Sequence, residues 1–259
     1  MTRNIKAKTI VVKIGTNVIT DSGGMLNLSL MQNLVSQIAK IKNHKKIVVI
    51  TSGAIGAGMG ELKLNSRPTD VTMRQVCAAV GQNILMANYH SMFSKYKIKI
   101  AQILLTYKDF SDHKTYKNLH NSLTKMLNLG VIPIINENDP ISIDEIGPSF
   151  GDNDTLSALI ANKIKADLLI ILTNVDGLYT KEPNDKQAVL VKEVRNINNK
   201  IEAMAGTSSN LGIGGMKTKI NAAKIAASKG TATVIANGRT KDILLEIINN
   251  QDIGTIFYA

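Results

Sequence analysis

The sequence predicts an α/β protein, a three-layer αβα sandwich around a mostly parallel central sheet. Short runs rich in β-branched residues alternate along the chain with longer amphipathic stretches. The short runs lack a polar face, as strands do when helices cover both sides of a sheet. Length sets the scale: 259 residues, 44% of them hydrophobic, suffice for one substantial core.

In chain order, the predicted strands are Thr9–Ile14, Lys46–Thr51, Lys99–Leu105, Val131–Ile135, Asp167–Thr173 and Thr231–Ala236. The predicted helices span 28–43, 72–96, 115–129, 153–165 and 216–229, and they supply the crossovers that parallel strands require. No repeat, low-complexity tract or linker divides the chain, and Lys181–Ala188 reads as a polar surface excursion. Two lobes of a single domain sharing one sheet, about 1–165 and 166–259, fit better than separable domains. The chain stops at Ala259, immediately after its last strand.

Composition narrows the function classes. A net charge of +11 suits an anionic partner, but the lysines are scattered, and four Phe with no Trp offer little for base stacking. A solvated lysine-rich surface is the preferred reading, and a nucleic-acid partner is not expected. The single cysteine, Cys77, excludes an internal disulfide and lies in a small apolar run that suggests core packing. No run of about 18 apolar residues is present to span a bilayer, so a soluble, cytoplasmic protein is expected. The four histidines, at 44, 90, 113 and 120, show no metal-ligand spacing, and His113 and His120 are expected at the surface.

Strands of a parallel sheet deliver functional residues at their carboxyl ends. The first ends Val12-Lys13-Ile14-Gly15-Thr16; a lysine in a buried strand is costly unless its ammonium meets an anion, though it can also snorkel to solvent. Gly15 permits close backbone approach to a phosphate. The second ends Thr51-Ser52-Gly53, opening a helix whose free N–H groups suit a carboxylate or phosphate; a plain N-cap at Ser52 would look the same. Asn136-Glu137-Asn138-Asp139 and Gly151-Asp152-Asn153-Asp154 flank one loop with carboxylates and amides, which can surround an ammonium and hold lysines in place. The fifth strand runs into Thr173-Asn174-Val175-Asp176-Gly177, either a nucleotide-facing turn or an ordinary Asx-type turn. Gly212-Ile213-Gly214-Gly215-Met216-Lys217-Thr218-Lys219 is a glycine-rich entry to a helix carrying two lysines in its first turn. Those lysines oppose the helix dipole unless a polyphosphate binds there; a flexible surface loop is the alternative. No Walker motif or protein-kinase signature is present, and the glycines at 53, 56, 58 and 60 fail the dinucleotide pattern because Glu61 stands where glycine is required.

In this order VVKIGT, TSGAIGAG, Gly81-Gln82, QILLTYKDF, IPIINEND, GDND, TNVDGLY, GIGGMKTK, IANGR and IGTIFYA resemble the amino acid kinase family, and within it the branch that phosphorylates glutamate. The resemblance implies the fold, use of ATP with Mg2+ bound mainly through its phosphates, and phosphorylation of the L-glutamate γ-carboxylate, the first step of proline biosynthesis. It implies that Lys13, Asp154 and Lys219 are catalytic, with Asp154 fixing the two lysines. It places glutamate at Ser52, Gly53, Asp139 and Asn153 in the N-terminal lobe. ATP is expected at Lys13, Gly15, Thr173, Asn174 and Ile213, Gly214, Gly215, Met216, Lys217, Thr218 and Lys219, mostly in the C-terminal lobe. Direct protein ligands to a metal are not expected. Proline is expected as a feedback inhibitor competing at the glutamate site, with the loop Pro140–Gly151 setting selectivity, and the chain is expected to form a homo-dimer or tetramer. Two departures stand out: Asn174 where the family often has Asp, and Ile213 where Thr is common. The RNA-associated PUA domain of many relatives is not expected. Acetylglutamate or uridylate phosphorylation, and a non-catalytic basic nucleotide- or RNA-binding module, are the competing readings.

Overall fold

A computed structural model describes residues 3–21, 23–141, 153–206 and 215–259. The N-terminal half contains β1 (Thr9–Ile14), α1 (Thr16–Ile19), α2 (Leu28–Lys42), β2 (Lys46–Ile50), α3 (Ala54–Glu61), α4 (Val71–Ser94), β3 (Ile100–Leu105), α5 (Lys108–Ser111), α6 (His113–Asn128) and β4 (Ile132–Glu137). After it come α7 (Asn153–Lys163), β5 (Leu168–Thr173), β6 (Glu193–Val194), α8 (Asn199–Ala203), α9 (Met216–Ala227), β7 (Ala232–Asn237), α10 (Ile243–Ile248) and β8 (Thr255–Phe257). The strands form one eight-stranded sheet in the order β3-β4-β2-β1-β5-β7-β8-β6. Every neighbouring pair is parallel except β7 with β8. The sandwich predicted from the sequence is therefore observed, with the limits of the six predicted strands met to within two residues and with β6 and β8 in addition.

Alternation along each strand feeds two cores. Ile10, Val12 and Ile14 of β1 pack with Ile47, Val49, Leu168, Ile170 and Leu172 against α2, α4 and α10. Val11 faces the other way, joining Val48, Ile50, Leu169 and Ile171 beneath Leu123 of α6, Leu156 of α7 and Ile220 of α9. Lys13 shares the parity of Val11, so β1 aims it at the α7–α9 layer. The helix starts have local causes: the side chains of Asn27, Asp70 and Asp112 accept from Leu30, Met73 and Thr115 N–H and cap α2, α4 and α6.

One contact fixes the turn after β2. A Cβ at Gly58 would lie 1.9 Å from the Cys77 carbonyl oxygen, and one at Gly81 would lie 1.8 Å from that of Ala54. Helices α3 and α4 thus cross backbone against backbone, with Cys77 buried between them as expected. Gly81→Ala is expected to destabilise the fold by about 3 kcal/mol in urea unfolding, because backbone rather than a flexible side chain must move. A loss under about 1 kcal/mol would contradict so close a crossing.

Candidate active site

Strand β1 lies between β2 and β5, which leave it in opposite directions across the sheet, so the carboxyl end of β1 is a topological switch point. Lys13 stands there with its side chain 7% exposed. Its Nζ is 2.6 Å from Asp154 Oδ1, and Lys219 Nζ is 3.0 Å from Asp154 Oδ2. Asp154 itself is fully buried in the first turn of α7, where the helix dipole favours an anion. Burial alone would push its carboxyl up, but the charges of Lys13 and Lys219, and their hydrogen bonds, hold it below the usual carboxylate range. Both residues flanking the carboxylate are therefore paired ammonium groups in a buried place, and the ionised trio carries one net positive charge. Such a group accommodates an incoming anion.

Thr218 Oγ1 lies 2.9 Å from Asp154 Oδ2 and 2.8 Å from the Gly215 carbonyl oxygen, so Thr218 braces the carboxylate. Gly215 caps α9 without a side-chain hydrogen bond, and Met216 and Lys217 follow it, Lys217 exposed. The lysine at 219 opposes the helix dipole, and the Asp154 contact compensates it. Ile213 and Gly214 lie outside the described residues, as does the loop expected to set proline selectivity from Ser142 onward.

On the other side of the trio, Asn153 Nδ2 reaches the Thr51 carbonyl oxygen at 3.0 Å, Ser52 Oγ at 2.9 Å and Asn136 Oδ1 at 3.0 Å. Ser52 is not the N-cap of α3. Gly53 occupies that position in the left-handed region at φ 98°, which a side chain would strain, and no side chain caps the helix. The Thr51 hydroxyl meets the buried Tyr89 hydroxyl at 2.9 Å; burial pushes that phenol up to about 12, with the Thr51 contact partly opposing it. Asp139 is half-buried and lines a cavity of about 310 Å³ together with Gln82 and Glu137. Ser52 and Asn153 thus come together next to Asp154, and Asn136 and Gln82 lead from them to the cavity that Asp139 lines. Sequence reasoning did not single out Gln82, Asn136, Thr51 or Tyr89 individually, although Gly81-Gln82 and the Asn136 run stood among its motifs.

The remaining predicted positions lie at the ends of β1 and β5. Thr173 is buried and donates to Asn174 Oδ1 at 3.4 Å, with Asn174 exposed. Asp176 accepts from Asn237 at 3.0 Å and from the Tyr179 hydroxyl at 3.0 Å, so its carboxylate ties β5's turn to β7 instead of closing a local Asx-type turn. Asp176, Lys192 and Asn237 line a second cavity of about 230 Å³. Gly15 meets the Leu172 carbonyl oxygen at 3.0 Å, too close for a side chain. His120 is half-buried, with Nδ1 3.0 Å from the Lys163 carbonyl oxygen, whereas His113 is exposed. Among the described residues no group of three His, Cys, Asp or Glu side chains is placed to hold a metal, and no helix is long and apolar enough to cross a membrane.

A model of the amino acid kinase family matches residues 8–237. The chain belongs to the amino acid kinase family. It is 46% identical over 254 residues to the glutamate 5-kinase of Methanococcoides burtonii, covering 97% of this chain and 68% of that one. It is 45% identical over 251 residues to the glutamate 5-kinase of Clostridium acetobutylicum, covering 96% of this chain and 93% of that one. Among solved structures, UMP kinase from Bacillus anthracis superposes with a TM-score of 0.65 at 14% identity, covering 97% of this chain and 96% of that one. Carbamate kinase from Giardia lamblia bound to AMP-PNP gives 0.67 at 17% identity, over 98% and 99%. Those two likenesses establish the fold.

Asp154→Asn leaves two buried ammonium groups without their anion, and is expected to lower stability by about 3–5 kcal/mol at pH 7. Because the folded carboxyl is held low, the gap to wild type should persist above about pH 4, the ordinary carboxylate value, and narrow as pH falls further. Urea unfolding between pH 3 and pH 8 checks both, and a gap that is absent at pH 7 would contradict the pairing.

Proposed function

We propose that this chain transfers the γ-phosphoryl group of ATP to the γ-carboxylate of L-glutamate, giving ADP and L-glutamyl 5-phosphate, the first step of proline biosynthesis in the cytoplasm. The observation that carries the reading is the buried Lys13–Asp154–Lys219 trio at the switch point of the sheet. Relatives 45 and 46% identical bear the name of this activity, and the fold relative holding AMP-PNP supports an ATP site.

The chemistry needs little covalent help from the protein. A glutamate carboxylate is ionised at pH 7, so no general base is required. One of its oxygens forms a bond to phosphorus as the bond from phosphorus to the leaving oxygen of ADP breaks. Phosphoryl transfer is accelerated mostly by positioning and by stabilising charge on the equatorial oxygens. Lys13 and Lys219 supply that charge from opposite sides, and Asp154 keeps both ammonium groups where they must be before substrate arrives, so no reorganisation is needed in the transition state. Magnesium, if bound mainly through the ATP phosphates, would neutralise charge on the donor.

Glutamate belongs in the N-terminal lobe, 1–165, with its ammonium against Asp139 and its side-chain carboxylate near Ser52, Gly53 and Asn153. ATP belongs mostly in the C-terminal lobe, 166–259, along Thr173, Asn174, the entry to α9 and the cavity beside Asp176, with Gly15 of the N-terminal lobe alongside. Proline shares the ammonium and α-carboxylate of glutamate but offers nothing to phosphorylate, so it fits as a competing inhibitor. Assembly into a dimer or tetramer completes the reading, with light scattering as its check.

ADP production over a panel of glutamate, acetylglutamate, aspartate and UMP tests the proposal. Glutamate is expected to be turned over best, with proline raising the apparent KM and excess glutamate relieving it. Lys13→Ala or Lys219→Ala should lower kcat by about 10²–10³ while the fold persists. Asp139→Ala should instead raise the KM for glutamate and leave that for ATP. Preference for UMP or acetylglutamate, or near-normal turnover without either lysine, would overturn it.

A further inference from the structure

Next to the trio lies a chain of side-chain amides whose orientation is settled by one backbone group. The Thr51 carbonyl oxygen can only accept, so the Asn153 atom 3.0 Å from it is the Nδ2 donor. That same Nδ2 meets Asn136 3.0 Å away, which makes the facing Asn136 atom its oxygen. Asn136 must then turn its Nδ2 to Gln82, at 2.9 Å, and the facing Gln82 atom is Oε1. Each assignment forces the next. Two atoms remain at the ends of the chain with no hydrogen-bond partner among the described residues: Asn153 Oδ1, an acceptor, and Gln82 Nε2, a donor.

Gln82 is 8% exposed, and its amide lines the 310 Å³ cavity with Asp139 and Glu137. A buried NH₂ group left without an acceptor is costly, and native proteins keep such groups chiefly where a ligand or water completes them. The surroundings define the ligand. Asp139, on the same cavity, attracts a cation, while Gln82 Nε2 offers two protons to an anion. A cation and a carboxylate on one carbon are the head of an α-amino acid.

On the reading given above, we infer that Gln82 is a specificity-determining residue whose Nε2 donates to the α-carboxylate of the amino-acid substrate. The α-carbon end of glutamate then sits over Gln82 and Asp139, and its side chain runs past Asn136 and Asn153 toward Ser52 and the lysines. The amide chain is thereby a ruler: one end reads the head of the substrate, and the other stands beside Asp154, whose lysines meet the reacting carboxylate. Substrates of the wrong length cannot satisfy both ends.

Glutamate and its α-amide, which keeps the γ-carboxylate but replaces the α-carboxylate with a carboxamide, separate this role from a merely structural one. The wild-type enzyme should prefer glutamate in kcat/KM by about 10-fold or more, because with the amide the buried donor meets a neutral carbonyl oxygen instead of a charged carboxylate. Gln82→Glu keeps the acceptor that Asn136 needs but replaces the donor with a carboxylate. At pH 8 it should raise the KM for glutamate by about 10- to 100-fold, with the loss in KM rather than kcat, and shrink the preference over the α-amide by at least about 10-fold. Gln82→Met, which has no donor and only a weak thioether acceptor, should shrink it too and serves if the first variant does not fold. Turnover of glutamate with an unchanged preference in the variants, or a wild-type enzyme that does not discriminate, overturns the inference alone. A wild-type enzyme that does not phosphorylate glutamate overturns the assigned activity, and this inference with it.

Discussion

A single carboxylate between two buried ammonium groups governs the functional half of this molecule. Lys13 comes from β1, Asp154 from the first turn of α7 and Lys219 from the first turn of α9, and each is nearly inaccessible to water. A buried lysine without an anion would shed its proton or its place. Two lysines around one aspartate leave the trio with one more cationic than anionic group. Stability is thus held by the pair interactions, and the charge they leave over is what the proposed transfer uses.

The fold delivers these parts through elementary periodicities. Alternation along β1 sends Ile10, Val12 and Ile14 into one core and Val11 and Lys13 to the other face. Helices α7 and α9 both cover that face and both begin at the sheet's carboxyl edge, where chain entering a helix brings polar residues to the surface of the strands. Around Ser52, the backbone contact of α3 with α4 fixes the Thr51–Gly53 turn and also positions Gln82 one residue beyond Gly81. Packing without side chains at that crossing and polar precision beside it are two consequences of the same glycines.

The sheet was legible because its strands are apolar on both faces, and Lys13 stood out as a charge within such a run. Helix α9 and the start of α7 were placed correctly from their glycine-rich and polar entries. What escaped was short or ambiguous. Helices α1 and α5 have four residues and β6 has two, too few for any period to register, and the Ile243–Ile248 run of α10 reads equally as a strand. The pairing of Asp154 with Lys219 joins residues 65 apart, and that of Gln82 with Asn136 joins residues 54 apart. No local pattern encodes such distances; for the lysine trio the ordered family motifs supplied the link, and for Gln82 only the three-dimensional structure does.

The account stands on direct transfer between ATP and a carboxylate oxygen at the trio. Glutamate labelled with ¹⁸O in both γ-carboxylate oxygens tests it. In the acyl phosphate, the bridging oxygen comes from the carboxylate, and attack by the substrate's own amine at the acyl carbon expels phosphate with that oxygen attached. ³¹P NMR of the released phosphate should therefore show one ¹⁸O per phosphorus. Unlabelled phosphate, formed with ADP in the presence of glutamate, would mean that water rather than the carboxylate receives the phosphoryl group, and would contradict the account.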